Sequence, residues 1–152
     1  MNKNLIKLEF DKIQFNLSQF AVTYIGKEQA LNLLPSNNKE IVKNLLSETE
    51  EAEKLLFRNS TPPLDEIADN TITIKALESF GTLSIKSILE ITKILQMSND
   101  LKNYFFVEHI NPEDFSCLNK IFSELYSNKS ILDKIKICII DENNISDKAS
   151  TR

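Results

Sequence analysis

The sequence predicts an all-α fold, a helical bundle of about six helices, and three observations support this class. Apolar residues recur at a spacing near 3.6 along most of the chain, which is the period of an amphipathic helix. Only two Gly and four Pro occur in 152 residues, so few positions suit the tight turns of β-hairpins. Hydrophobic residues make up 41% and charged residues 26%, which is typical of a folded globular chain.

Three helices are predicted in the first part of the chain. The first carries an apolar stripe from residue 5 to about residue 24. The second, over residues 27–34, should stop at Pro35, because a proline ring disfavours the helical conformation of the residue before it. The third covers about 39–59 and is capped by the polar loop 36–38. Its acidic side is predicted to be a solvated face, formed by Glu48, Glu50, Glu51 and Glu53.

Residues 64–80 are less regular, because their β-branched side chains suit a strand as well as a helix; we favour a helix. Gly81 is predicted to end that helix and Ser84 to cap the next one. The helix after Ser84 should run to Phe106 as a rod of roughly 34 Å, at about 1.5 Å per residue. Half-way along this rod, Leu89, Ile91 and Leu95 are expected to stiffen it. Replacing Leu89 by Ala should cost roughly 2 to 5 kcal/mol if Leu89 is buried.

Two further helices are predicted before a polar turn. Pro112 suits the first position of one helix, whose buried face is expected to comprise Phe115, Leu118, Ile121, Phe122, Leu125 and Tyr126. The polar pair 127–128 separates it from a last helix that continues to about residue 140. We therefore divide the chain into a helical domain, 1–140, and a turn with the start of a further helix, 141–152.

Composition excludes several functional classes. A net charge of −4 and a pI near 5.1 provide no general attraction to nucleic acid. Cys117 and Cys138 lack the C-x-x-C pairing of zinc sites, so we interpret them as reduced core thiols. No stretch approaches 18 uninterrupted apolar residues, and no export signal is recognised, so membrane anchoring and export are not expected.

The search for a catalytic or cofactor site is negative. Gly26 and Lys27 are followed by Glu28 without an upstream glycine, so they do not form a phosphate-binding G-x-x-x-x-G-K-[ST] loop. The single histidine, His109, lacks the Glu-x-x-His pairing of helical di-iron sites and has no local nucleophile. We interpret it as structural or surface-exposed. No catalytic, cofactor-binding or metal residue is therefore predicted.

Three polar clusters have both a functional and a structural interpretation. Asp65, Glu66 and Asp69 could pair as acid and base, but a helix start after Pro62 and Pro63 also favours negative charge, and we predict that helix-capping role. The second cluster comprises Asp141, Glu142 and Asp147, and we predict a polar turn there rather than a cation site. The third cluster is predicted to be ordinary helix surface rather than a nucleic-acid patch, and it comprises Lys129, Lys134 and Lys136 with Tyr126.

The order of several segments resembles the N-terminus of the bacterial MutS-two family, relatives of the mismatch-repair MutS proteins. These segments are LEFDKI, YIGKEQALNLLP, ETEEAEKLL, PLDEIAD, ALESFGTLSIKSILEI, LKNYF and CIIDENNISDKAS. The most specific positions are Phe10, Gly26, Pro35, Gly81, Leu83, Ile145, Asp147, Ala149 and Ser150. The chain departs from the family at Asn144, where Gly is frequent, and at the link containing Pro62 and Pro63.

The resemblance implies a helical core and lever region in which DKAS opens a long lever helix. The rest of the parent, beyond Arg152, would contain a DNA clamp, an ATPase that uses ATP and Mg²⁺, and a C-terminal Smr nuclease domain. By this resemblance, the parent would be cytoplasmic and homodimeric, and would act on branched DNA or on collided ribosomes. This segment would be its mechanical part, partnered by the remainder of its own chain. The alternatives are an independent helical interaction module and, third, a stand-alone helical enzyme.

Overall fold

The computed structural model describes residues 7–107 and 111–149, without the side chains of Val107 and Lys148. Within these ranges the chain forms seven α-helices and two short 3₁₀ helices, and it has no β-strand. The helices are α1 (Phe10–Phe20), α2 (Tyr24–Leu31), α3 (Lys39–Arg58), α4 (Thr71–Glu78), α5 (Ile85–Val107), α6 (Ser116–Glu124) and α7 (Lys129–Cys138). The predicted all-α bundle is confirmed.

Helices α1 and α2 pack against each other as an N-terminal hairpin. Helix α2 begins three residues earlier than predicted, because the hydroxyl of Thr23 accepts the backbone N–H of Gly26 at 3.1 Å and caps the first turn. It ends at Leu31 rather than residue 34. The side-chain amide of Gln14 on α1 donates to the carbonyl of Leu33 at 2.6 Å. This bond ties the segment after α2 back to α1.

Helix α3 begins where the sequence predicted. The side-chain oxygen of Asn38 accepts the backbone N–H groups of Glu40 at 2.9 Å and Ile41 at 3.3 Å, which satisfies two of the unpaired donors at a helix start. The helix then runs for 20 residues. Near its end, Leu55 is buried in the core.

The predicted helix over 64–80 is wrong in its first part, because residues 60–70 adopt no regular structure. Contacts with distant elements hold this irregular segment instead. The carbonyl of Ile67 accepts the N–H of Tyr24 at 3.0 Å, and the N–H of Asp65 points to the sulfur of Met97 at 3.4 Å. Helix α4 starts only at Thr71, whose backbone N–H donates to the side chain of Asp69 at 2.9 Å.

The connection from α4 to α5 uses a left-handed residue, but that residue is not the glycine. Phe80 has φ 53°, and the N–H of Gly81 donates to the carbonyl of Ala76 at 2.8 Å, a bond typical of helix C-termini. The helix ends at Glu78, two residues before the predicted end, and its left-handed residue precedes Gly81 by one position. Ser84 caps α5 as predicted, because its hydroxyl accepts the N–H of Ser87 at 3.1 Å.

The core lies where α3, α5 and α6 meet. Its buried members are Leu55, Tyr104, Phe105, Phe115 and Leu118, with Ala52 and Phe122 packed against them. Phe105 is fully buried. Its ring stacks on that of Phe122, with centroids 4.3 Å apart and an interplanar angle of 6°. Aromatic contacts of this kind contribute beyond the burial of area.

The C-terminal part starts with a 3₁₀ helix, Pro112–Asp114, followed by α6 and α7. The side chain of Asn128 caps α7 by accepting the N–H of Ile131 at 3.0 Å. Two residues of the predicted buried face, Ile121 and Tyr126, are exposed. Tyr126 lies beyond the end of α6 at Glu124, so the helical spacing does not apply to it. After α7 the chain turns and enters a second 3₁₀ helix, Asp147–Ala149. The domain division at residue 140 stays a prediction.

Candidate functional site

Large apolar side chains lie exposed on most of the helices. Phe20 is 85% exposed, Phe57 93% and Phe80 99%. Ile72 on α4 is 84% exposed. Isolated exposed apolar residues are normal in soluble proteins, whereas contiguous apolar surface marks a site of interaction.

The hairpin of α1 and α2 collects several of these side chains around an apolar cleft. Its volume is about 410 Å³. The lining residues come from both helices and their flanks, and are Leu17, Phe20, Ala21, Gly26, Gln29, Ala30 and Leu33. Only Gln29 among them carries a polar side-chain group. This surface, hereafter the hairpin cleft, therefore suits hydrocarbon rather than a charged ligand.

A second, polar groove of about 620 Å³ lies between the irregular segment, α5 and α7. Its charged lining residues are Asp65, Glu66, Lys93, Asp100 and Lys136. The side-chain amide of Gln96 donates to both carboxylate oxygens of Asp100, at 2.9 and 3.1 Å. Lys136 in turn donates to the amide oxygen of Gln96 at 3.3 Å. These bonds form a chain of structural contacts across the groove between α5 and α7.

The three carboxylates predicted to cap a helix are separated in the structure. Asp65 and Glu66 line the polar groove, so their predicted capping role is wrong: the helix starts at Thr71, five residues beyond Glu66. Asp69 does hold the start of α4. The hydroxyl and the N–H of Thr71 both donate to its carboxylate, and these bonds lower the pKa of Asp69 below its usual 3.8.

Of the three acidic residues predicted to form a turn after α7, Asp141 and Glu142 lie in that turn, whereas Asp147 lies in the second 3₁₀ helix. The side-chain amide of Asn144 donates to both oxygens of Asp141, at 2.9 and 2.7 Å. The backbone N–H of Asn143 donates to the same side chain, and together these bonds lower the pKa of Asp141 below 3.8. In the part of the chain that the structure describes, no group of three or more His, Cys, Asp or Glu residues is placed to hold a metal ion.

The remaining candidates are spread over the C-terminal part. Lys129 and Lys136 line a small pocket of about 200 Å³ together with Asp133; Lys134, also exposed, is not among its lining residues. The hydroxyl of Tyr126 accepts a bond from the side-chain amide of Asn128 at 2.9 Å. The two cysteines are free, and both are half-buried. His109 lies outside the described residues.

Glu51 has a structural role that the sequence did not reveal. It was predicted to lie on a solvated face, but it is half-buried, and its carboxylate accepts the N–H groups of Cys117 and Leu118, both at 2.9 Å. The hydroxyl of Ser116 adds a third bond at 3.3 Å. Glu51 therefore caps α6 from α3. No local signal identifies this role, because the partners lie more than 60 positions apart.

Opposing effects set the pKa of Glu51. Burial raises this pKa, whereas the hydrogen bonds from Leu118, Cys117 and Ser116 lower it, and the sum lies below the usual 4.5. The carboxylate is therefore ionised at neutral pH. Its charge also lies at the N-terminus of α6, where the helix dipole favours an anion.

Among the described residues, none of the helices combines the length and apolar character needed to cross a membrane. Helix α5 is long enough, with 23 residues, but lysines, acidic residues and amides interrupt its apolar positions.

The chain is similar over nearly its whole length to proteins named Endonuclease MutS2. It is 32% identical to that of Ruminiclostridium cellulolyticum over 143 residues, which are 94% of this chain and 18% of the relative. It is also 32% identical to that of Acetivibrio thermocellus over 151 residues, 99% of this chain and 19% of the relative. The chain thus spans less than a fifth of the length of these relatives. No protein-family model matches it.

Proposed function

Because this chain belongs to the MutS-two family (MutS2) and matches only part of the length of its members, we propose a non-catalytic role for it. It would be a helical part of a longer, DNA-acting MutS-like ATPase and endonuclease. The observation that carries this proposal is the exposed apolar surface. The side chains of Phe20 and Phe57, for example, are almost fully exposed to solvent in this segment. This chain corresponds to less than a fifth of the length of its relatives. Surfaces that pack against the remainder of the parent would therefore be exposed when the segment is considered alone.

The proposed role is mechanical. Helices α3, α5 and α6 share one close-packed core, and close-packed interfaces tend to move between discrete arrangements rather than deform continuously. A rearrangement driven by nucleotide elsewhere in the parent would therefore be passed on by α5 as a unit. The relevant partners are the lever, clamp and ATPase parts of the same polypeptide.

ATP and Mg²⁺ belong, in this proposal, to other parts of the parent. The residues of this chain do not fit these ligands, since it has no G-x-x-x-x-G-K-[ST] loop, and its described residues contain no metal-binding cluster. The parent itself would be a cytoplasmic homodimer that cleaves DNA, with branched DNA or a collided ribosome as its target. These properties follow from the family resemblance.

An independent interaction module is not favoured. Such a module would be expected to occur as a separate domain in proteins of varied size. The relatives reported above instead match nearly all of this chain inside proteins about five times as long. The acidic face of α3, which would have served as the docking surface, is partly used within the chain because Glu51 caps α6.

Neutralising the polar groove in the full-length protein tests the non-catalytic role. The combined substitutions Asp65→Asn, Glu66→Gln and Asp100→Asn remove the three carboxylates that line the polar groove. We expect rates of DNA cleavage and ATP hydrolysis to stay within about twofold of the wild type, because general acid–base groups contribute about a hundredfold or more.

A matched control removes three exposed carboxylates outside the groove, by Asp11→Asn, Glu28→Gln and Glu78→Gln. A loss of a hundredfold in the groove variant, with a normal circular dichroism spectrum and an active control, would place catalytic groups in this segment and overturn the proposal.

A further inference from the structure

We propose that the hairpin cleft receives the apolar face of an amphipathic helix from the remainder of the parent polypeptide, an inference that rests on the proposed function. Six of the seven residues that line the cleft carry no polar side-chain group. Its occupant must therefore be apolar where it contacts the cleft.

The lining of the hairpin cleft explains its shape. Leu17 and Phe20 contribute from α1, and Ala30 and Leu33 from α2 and its flank. The backbone at Gly26 approaches the connection from α1 closely, because a Cβ there would lie 3.0 Å from the hydroxyl oxygen of Thr23 and 3.4 Å from the Cβ of Ala21. A cleft bounded by small residues and rimmed by large apolar ones accommodates the side chains of a neighbouring helix.

The exposure of the rim indicates that the cleft is incomplete in this segment. Phe20 is 85% exposed, while Leu17 and Leu33 remain more than two fifths exposed. Sites for small molecules place several polar groups among their apolar residues, whereas this lining offers the single amide of Gln29. Insertion of apolar side chains at helical spacing, the usual mode for a helix in a groove, fits better.

The remainder of the parent is the occupant that the comparisons favour. About four fifths of each relative lies outside the matched segment, so a long stretch of the same polypeptide is available at high effective concentration. The hairpin also has a defined place relative to the rest of the segment, because the N–H of Tyr24 binds the carbonyl of Ile67 at 3.0 Å. A tethered partner can therefore meet the cleft in one fixed orientation.

Hydrogen exchange of the full-length protein, read by mass spectrometry, tests this proposal. We expect slow exchange of the amides of α1 and α2 in the wild type, and at least about tenfold faster exchange after Phe20→Gln, because exchange reports the local opening free energy. Glutamine is a good helix former, so the substitution removes the apolar ring with little effect on α1 itself.

Phe15→Gln provides the matched control on the same helix. Phe15 is 58% exposed and is not part of the cleft lining, so its substitution should change exchange less than Phe20→Gln. Equal effects of the two variants would overturn the proposal, as would rapid exchange of α1 and α2 in the wild type. Protection that disappears on tenfold dilution would assign the cleft to a second copy of the protein and overturn it too. Because DNA cleavage by the groove variant is measured separately, failure here leaves the proposed function standing.

Discussion

Glu51 shows how one side chain joins two helices that are distant in sequence. Its carboxylate holds two backbone N–H groups at the start of α6, and these donors have no partner within their own helix. Because α6 supplies Leu118 to the core, the position of this helix affects the packing of the whole central cluster. The same residue therefore contributes to a helix cap and to tertiary structure.

Substituting Glu51→Gln should lower the free energy of unfolding by about 1 kcal/mol at pH 7, a typical contribution of a helix cap at a partly exposed site. The amide keeps the shape of the side chain but loses the charge and one acceptor oxygen. Urea denaturation of the segment measures the change. Glu53→Gln, an exposed glutamate on the same helix, is the control; equal stability of the two variants would show that Glu51 does not cap α6.

The contribution of Glu51 should depend on pH in a defined direction. Its pKa in the folded chain lies below the usual 4.5, so the ionised form stabilises the fold above that value. As pH falls from about 4.5 through the lower folded pKa, this stabilisation is lost. We therefore expect the difference between wild type and Glu51→Gln to be constant from pH 7 to 5 and to shrink in more acidic solution. Urea titrations at several pH values measure it; a difference that grows on acidification would contradict this sign.

Phe105 is the residue on which the core depends most. It is fully buried, stacks on Phe122 and meets Phe115 edge to face at 6.3 Å. Phe105→Ala should lower the free energy of unfolding by about 3 to 5 kcal/mol, since a large cavity would replace the ring. Phe57→Ala, at a position 93% exposed, should change it by less than about 0.5 kcal/mol in this segment. Similar losses for both variants in thermal unfolding would contradict the placement of the core.

At the scale of elements, α5 is anchored mainly through its C-terminal half. Leu101, Tyr104 and Phe105 are buried there, whereas Leu89 in the other half is only half-buried. The loss of stability that the sequence predicted for Leu89→Ala assumed a buried side chain, so it does not apply to this half-buried leucine. Leu89→Ala should lower the free energy of unfolding by about 1 kcal/mol, because a half-buried side chain loses roughly half of its transfer free energy. A loss above about 3 kcal/mol in urea denaturation would mean that Leu89 is fully packed.

The sequence predicted two helix starts that local caps fix, although it missed the equally local cap of α2 by Thr23. Asn38 and Ser84 cap their helices as short-range patterns indicate. It failed where distant contacts decide the conformation. The irregular segment before α4 is held by bonds from α2 and α5, and no pattern within that segment reports them.

The candidate sites follow the same division. The turn around Asp141 was predictable because its partners lie two and three residues away. The separation of Asp65 and Glu66 from Asp69, and the role of Glu51, depend on how helices pack. Sequence periodicity assigns a residue to a face of a helix, but it does not identify which neighbour covers that face.

At the scale of the whole molecule, a small core coexists with a large exposed apolar surface. Seven buried apolar residues are found in the described ranges, whereas large apolar side chains are exposed on every one of the longer helices. This balance is expected for a part of a larger protein, since a free-standing domain hides more of its apolar surface. Homology to less than a fifth of the MutS2 proteins agrees with it.

The most direct test of the central claim is to assay the purified 152-residue chain beside the full-length protein, on branched DNA with ATP and Mg²⁺. We expect DNA cleavage and ATP hydrolysis by the full-length protein and no rate above background for the 152-residue chain, because the proposed role gives this chain packing surfaces rather than reactive groups. Cleavage or hydrolysis by the chain alone, surviving further purification and lost on substitution of its own groove residues, would contradict the account.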